Sequence, residues 1–162
     1  MKLATETTSV HLLTAEALLQ NWQAHRRLTR KTIEAFPEDK LFQFSVGGMR
    51  TFGAMACEII GMGVPIVEGV STGKWVHFED AKPETKSELL RLWDAQTEQL
   101  NEKVPQIPPG RFTEVDKAFG QWEMTGLAGI QYAIDNEIHH RGEGYVYLRA
   151  LGIEPPAFWD RA

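Results

Sequence analysis

Apolar residues recur at helical spacing in four stretches of the chain. From about Thr14 to Phe36, Leu18, Trp22, Ile33 and Phe36 share one stripe when successive residues turn by about 100°. His25 and Thr29 fall on the same stripe, so its middle is polar while its ends are apolar. Pro37 lacks a backbone donor and ends this helix. A second helix, about Arg50 to Met62, carries Phe52, Met55, Ala56 and Ile59 on one face. The third opens with Thr85-Lys86-Ser87-Glu88, a capping box in which hydroxyl and carboxylate satisfy free N–H groups reciprocally. It continues through Leu89, Leu92, Trp93 and Leu100 and ends near Pro105. The fourth runs from about Thr125 to Leu151, with Gly152 suited to a left-handed C-cap and Pro155 and Pro156 beyond it.

The connections are long. Gly61 to Pro83 exceeds any tight turn, and its GVSTGK run, Gly69 to Lys74, lacks phosphate-loop spacing and reads as a flexible crossover. Glu79 and Asp80 read as solvated surface ahead of the third helix. PPGRFTEVDKAFG, residues 108–120, holds a turn and two short β-like runs, which predicts a small hairpin or an irregular loop. Without repeats or linkers, residues 1–162 form one domain, an all-α four-helix bundle. Bundle sites are built from inward side chains of facing helices.

The fourth helix has two stripes. Leu127, Ile130, Ile134, Ile138, Tyr145 and Leu148 form the expected core face. Tyr132, Asn136, His140, Glu143 and Tyr147 form a second, roughly opposite, whose mixed polarity suits a pocket wall or a subunit contact. Adjacent helical residues point about 100° apart, so His139 and His140 are not expected to face one ion. His140, near the middle of the second stripe with Asn136 at i−4, is the better candidate. His139 turns towards Asp135 and is assigned a separate structural contact. A lone helical histidine is more often a hydrogen-bonded structural residue than a ligand, and Asn136 is a weak ligand for zinc or nickel. Spacing alone leaves both readings open.

Composition narrows the classes. The chain is 43% hydrophobic and 24% charged, and its formal charge of −5 comes without a basic stripe, so no nucleic-acid partner is expected. No secretory leader and no apolar run of membrane-spanning length is evident, which points to a cytoplasmic protein with no membrane partner. A single cysteine, Cys57, excludes an internal disulfide and reads as a small buried hydrophobe. Arg141 and Arg149 are assigned to acids or to helix carbonyls.

HHRGEGYVYLRALGIEPP, from His139 to Pro156, resembles the C-terminal signature of the DinB-like (YfiT, damage-inducible) superfamily. The resemblance extends back through FGQWEMTG to MRTFGAM and covers most of the chain. It implies an up-down-down-up four-helix bundle with a long crossover after helix two, and a homodimer. It also implies a divalent metal, commonly nickel or zinc, on one histidine of helix two and two of helix four at i and i+4. Characterised relatives include metal-dependent thiol transferases that use low-molecular-weight thiols.

Carried over position by position, the second helix-four histidine falls on His140, the first on Asn136 and the helix-two histidine on Glu58. The family's H-R-G-Q glutamine becomes Glu143. The metal set is thus Glu58, Asn136 and His140, with His25, Tyr132, Glu143 and Tyr147 as pocket candidates and no catalytic residue assigned. Three outcomes compete. The metal is lost or weakly bound, which the poor ligand strength of Glu-Asn-His favours. The site has become oxygen-rich and holds manganese, iron or zinc through Glu58, His140, Glu143 and water. Or a ligand has moved, to His25 or, less suitably, to His77. The enzyme reading is a metal-dependent hydrolase or thiol transferase with a small-molecule or thiol substrate, the metal being zinc, nickel, manganese or iron. The alternative is a non-catalytic stress-associated or small-ligand-binding bundle without metal.

Overall fold

The computed structural model describes residues 13–77 and 81–162; Glu79 and Asp80, read as surface, lie outside the described residues. Helix α1 spans Ala15–Ala35. Thr14 caps it by accepting from the Ala17 N–H at 3.1 Å. Phe36 leaves the helix in an extended conformation, as a residue before proline must. A single turn, α2 (Glu38–Leu41), follows. Helix α3 spans Phe52–Thr72, α4 spans Lys86–Lys103 and α5 spans Gly126–Ala150. The capping box at Thr85 and Glu88 forms in both directions. Between α4 and α5 an antiparallel hairpin pairs β1 (Val115–Ala118) with β2 (Trp122–Thr125). The second strand therefore lies beyond the stretch read as β-like.

The chain is mostly helical. Helix α1 packs on α4 and α5, and α3 packs on the same two, whereas α1 and α3 barely meet. Two apolar clusters fill the interior. Leu18, Trp22, Met62, Ile66, Leu100, Ile130 and Ile134 form one. Ile33, Phe36, Phe52, Ile59, Leu89, Trp93 and Leu148 form the other. Along α1, α4 and α5 the residues between these clusters are polar and buried: His25, Arg26 and Thr29 on α1, Gln96 on α4, and Glu137, His140 and Arg141 on α5. A polar layer thus crosses the middle of the bundle, as the polar middle of the first stripe foretold.

Three expectations need correction. Helix α3 runs ten residues past Met62 through Pro65, and GVST is its last turn, closed by Gly73 at φ 73°. An internal proline costs about 3 kcal/mol, but burial of Ile66, Val67 and Val70 at about 1.5–3 kcal/mol each outweighs it. The crossover is accordingly shorter, and Trp75 folds back so closely that a Cβ on Gly69 would lie 2.3 Å from its ring. The same helix is, by length and composition, apolar enough to cross a membrane, contrary to the sequence reading. Its apolar window is 67% buried within the protein, as a core helix is. Finally, the core face of α5 is rotated. Leu127 and Ile138 are exposed, and the buried arc runs through Gly126, Ala133, Glu137, Arg141 and Gly144, between the two stripes.

Candidate metal and ligand site

Helices α3 and α5 approach closely where Gly144 faces Phe52; a Cβ there would sit 2.5 Å from the Phe52 ring. This approach brings Glu58 of α3 against Asn136 and His140 of α5. Asn136 Nδ2 donates to Glu58 Oε1 at 3.1 Å, and His140 Nε2 lies 3.2 Å from the same oxygen. The other carboxylate oxygen, Oε2, accepts from the Arg50 guanidinium, whose Nη2 is also 3.4 Å from His140 Nε2. Arg50 precedes Thr51, the N-cap of α3, and its carbonyl accepts from the hydroxyl of buried Tyr147 at 2.9 Å. Its backbone is thereby pinned while its side chain lies along two turns of helix.

Burial pushes the Glu58 carboxyl up, but hydrogen bonds from Arg50, Asn136 and His140 outweigh it and hold the group below its ordinary value. Glu58 is therefore an anion at neutral pH. On the far side of the ring, His140 Nδ1 lies 2.6 Å from Glu143 Oε2. A carboxylate only accepts, so Nδ1 carries the proton of that bond, and the Nε2 edge of the ring faces Glu58 Oε1 and the Arg50 guanidinium. Carboxylate–histidine pairing of this kind orients imidazoles for metal coordination. Asn136 Oδ1 is buried with no hydrogen-bond partner among the described residues. A carboxylate oxygen and an imidazole nitrogen thus meet beside an amide whose own oxygen is buried and unsatisfied. That donor set suits a divalent cation of intermediate hardness. The residues fit such an ion, although the Arg50 guanidinium at their edge is a cation that opposes it.

The ring of His139 is also drawn in. Its Nε2 is 3.6 Å from Glu143 Oε1, so it shares the partner of His140 instead of making a separate contact with Asp135. Asp135 accepts from Gln131 at 3.1 Å. His139, His140 and Glu143 have donor atoms within 4.8 Å of one another and could hold a metal, although His139 is exposed. Successive helical residues reach one partner because Glu143 lies three residues on from one and four from the other.

A cavity of about 440 Å³ opens beside Glu58. Its walls come from α3 (Met62, Ile66), the crossover (Trp75, His77), the hairpin (Phe119, Trp122, Met124) and Tyr132 of α5. Trp75 and Phe119 meet edge to face at 5.1 Å. Phe119 adopts φ 52°, a left-handed conformation that costs a non-glycine residue about 1 kcal/mol or more, and in doing so it presents its ring to this wall.

Of the residues singled out in the sequence, Glu58, Asn136, His140 and Glu143 come together. Tyr147 supports them through Arg50, and Tyr132 and His77 line the cavity. His25 does not join them. Arg141 approaches its Nδ1 at 3.0 Å and Arg161 its Nε2 at 3.4 Å, so both nitrogens face guanidinium groups. Burial and then the charges of Arg141 and Arg161 lower its pKa to about 4. Arg141 takes neither an acid nor a helix end as its main partner; it donates to the His25 carbonyl and to Thr29 Oγ1. Cys57 is buried in the apolar core, as expected. Arg50 was missed. Its sequence signal is a cation two helical turns ahead of the first acid of a mostly apolar helix.

The fold and this site define a helical-bundle protein with a carboxylate–imidazole centre between two facing helices. The DinB family model matches residues 7–161, and the chain belongs to that family. It is similar to the uncharacterized protein YjoA of Bacillus subtilis strain 168, with 24% identity over 147 residues, 89% of this chain and 95% of that protein. The crystal structure of that DinB-like protein superposes with a TM-score of 0.74 at 23% identity, covering 90% of this chain and 99% of the other. A DinB-like protein from Bacillus cereus ATCC 10987 superposes with a TM-score of 0.71 at 21% identity, covering 88% and 95%. These likenesses establish the fold.

Proposed function

We propose that this chain is a metal-dependent enzyme of the hydrolase or thiol S-transferase kind, acting on a small molecule in the cavity beside Glu58. The supporting observation is that Glu58, which lines that cavity, meets both His140 Nε2 and the Asn136 side chain, whose oxygen is unpartnered among the described residues. These three residues would hold the ion, and their oxygen-rich character suits manganese, iron or zinc better than nickel. A bound ion of this type lowers the pKa of a coordinated water or thiol and so supplies a nucleophile near neutral pH. Glu143 keeps the His140 proton on Nδ1, which leaves Nε2 as the donor atom. Asn136 Nδ2 fixes the rotation of the Glu58 carboxylate. The aromatic wall of Trp75, Phe119 and Trp122 offers an apolar surface for the apolar part of a substrate. The same reading includes an up-down-down-up bundle, a homodimer, a cytoplasmic setting and a role in stress.

Elemental analysis of protein purified without an affinity tag tests this reading, with Glu58→Ala and His140→Ala beside it. Near-stoichiometric divalent metal in the wild type, lost in both variants, is the expected result. Absence of metal from the wild type, with no uptake on titration, would overturn it.

A further inference from the structure

The cation seat described above already has a positive group at its edge. The Arg50 guanidinium bonds Glu58 Oε2 and also approaches His140 Nε2, and so touches two of the groups that a metal would share. Two features suit it to more than a static ion pair. Its backbone is anchored, because the Arg50 carbonyl accepts from Tyr147 and the next residue caps α3. Its side chain, in contrast, is 51% exposed and can swing into water at little cost.

Resting on the metal reading above, we propose that Arg50 is a built-in competitor for the metal: its guanidinium and a divalent ion hold Glu58 and His140 in turn. When the arginine is in, it neutralises Glu58 and occupies the approach to Nε2. When the ion is in, like-charge repulsion expels the guanidinium to the solvent side. There it remains tethered to α3 beside the cavity, a cation ready for an anionic group of an incoming substrate. Glu58 thus keeps a positive partner in both states, and the affinity for metal is set by the difference between two cations.

The consequence is unusual for a residue that touches the site: removing it strengthens metal binding. Isothermal titration with zinc chloride alone compares the metal-free wild type, Arg50→Gln and Arg50→Lys at low ionic strength. Thermal melts run in parallel to establish that all three are folded. Arg50→Gln is expected to bind about three- to tenfold more tightly than the wild type, and Arg50→Lys to stay near the wild type because it keeps the charge. The gap should narrow as salt is raised, since a half-exposed charge is screened. Equal or weaker binding by a folded Arg50→Gln protein, beside a wild type that binds zinc, would overturn this inference and leave the metal reading standing. Failure of all three proteins to bind zinc would overturn both.

Discussion

Replacing Glu137 by leucine tests the energetics of the polar layer. The Glu137 carboxylate is fully buried, accepts from Thr29 Oγ1 at 2.7 Å and Trp22 Nε1 at 3.2 Å, and lies 3.8 Å from Arg26 Nη1. Burial pushes its pKa up, and Arg26, Thr29 and Trp22 pull against that. Arg26 is equally buried; its Nε and Nη2 donate to Thr97 Oγ1 and the Trp93 carbonyl, and its guanidinium stacks 4.0 Å from the Trp93 ring. Its Nη1 has no hydrogen-bond acceptor among the described residues and depends on the Coulombic field of Glu137. Leucine matches much of the glutamate volume, so little cavity forms. The loss is electrostatic: an uncompensated buried cation and an orphaned indole N–H, together costing about 3–5 kcal/mol. For a chain of this length that lowers Tm by about 6–20 °C. Urea and thermal denaturation followed by circular dichroism measure it. The double variant Arg26→Met/Glu137→Leu removes both charges and should regain at least half of the loss. A single variant within about 1 kcal/mol of wild type, or a double variant worse than the sum of the singles, would refute the claim that Glu137 compensates Arg26.

Gly144→Ala drives a methyl group into the buried Phe52 ring, itself stacked on Phe36 at 4.8 Å, and should destabilise by about 1–3 kcal/mol in urea unfolding. His25 contributes a pH dependence. Its folded pKa of about 4 lies below its ordinary 6.5, so the unfolded chain binds the proton more readily. Its contribution is complete above pH 6.5 and is lost as pH falls towards 4, about 1–2 kcal/mol after allowance for solvent screening. In His25→Gln the acid limb of a stability–pH profile should be shallower across that window; an unchanged slope would refute the assignment.

How much of this was legible in the sequence depended on what kind of residue made each contact. Leu18, Trp22, Ile33 and Phe36 announce α1 because they are apolar and periodic, and Thr85 with Glu88 announces α4 through local capping chemistry. His140 could be preferred to His139, and Asn136 placed beside it at i−4, from helical rotation alone, whereas Glu58 was found only through family resemblance. The true buried face of α5 was hidden because its centre is Gly126, Glu137, Arg141 and Gly144, residues that a hydropathy pattern reads as polar or blank. The end of α3 was hidden by Pro65, whose local penalty is overcome only by tertiary burial. Arg50 escaped because a long side chain outside the helix reaches two turns into it. The cavity escaped because crossover and hairpin build most of its wall, and their meeting is a matter of tertiary structure.

The most direct measurement is a crystal structure of the zinc- or manganese-loaded protein, with anomalous scattering recorded on both sides of the metal edge. The expected result is one strong anomalous peak about 2.0–2.2 Å from both His140 Nε2 and a Glu58 oxygen, with Asn136 turned towards it and Arg50 withdrawn. No peak between α3 and α5, or a peak confined to His139 and Glu143 on the outer face, would contradict the account.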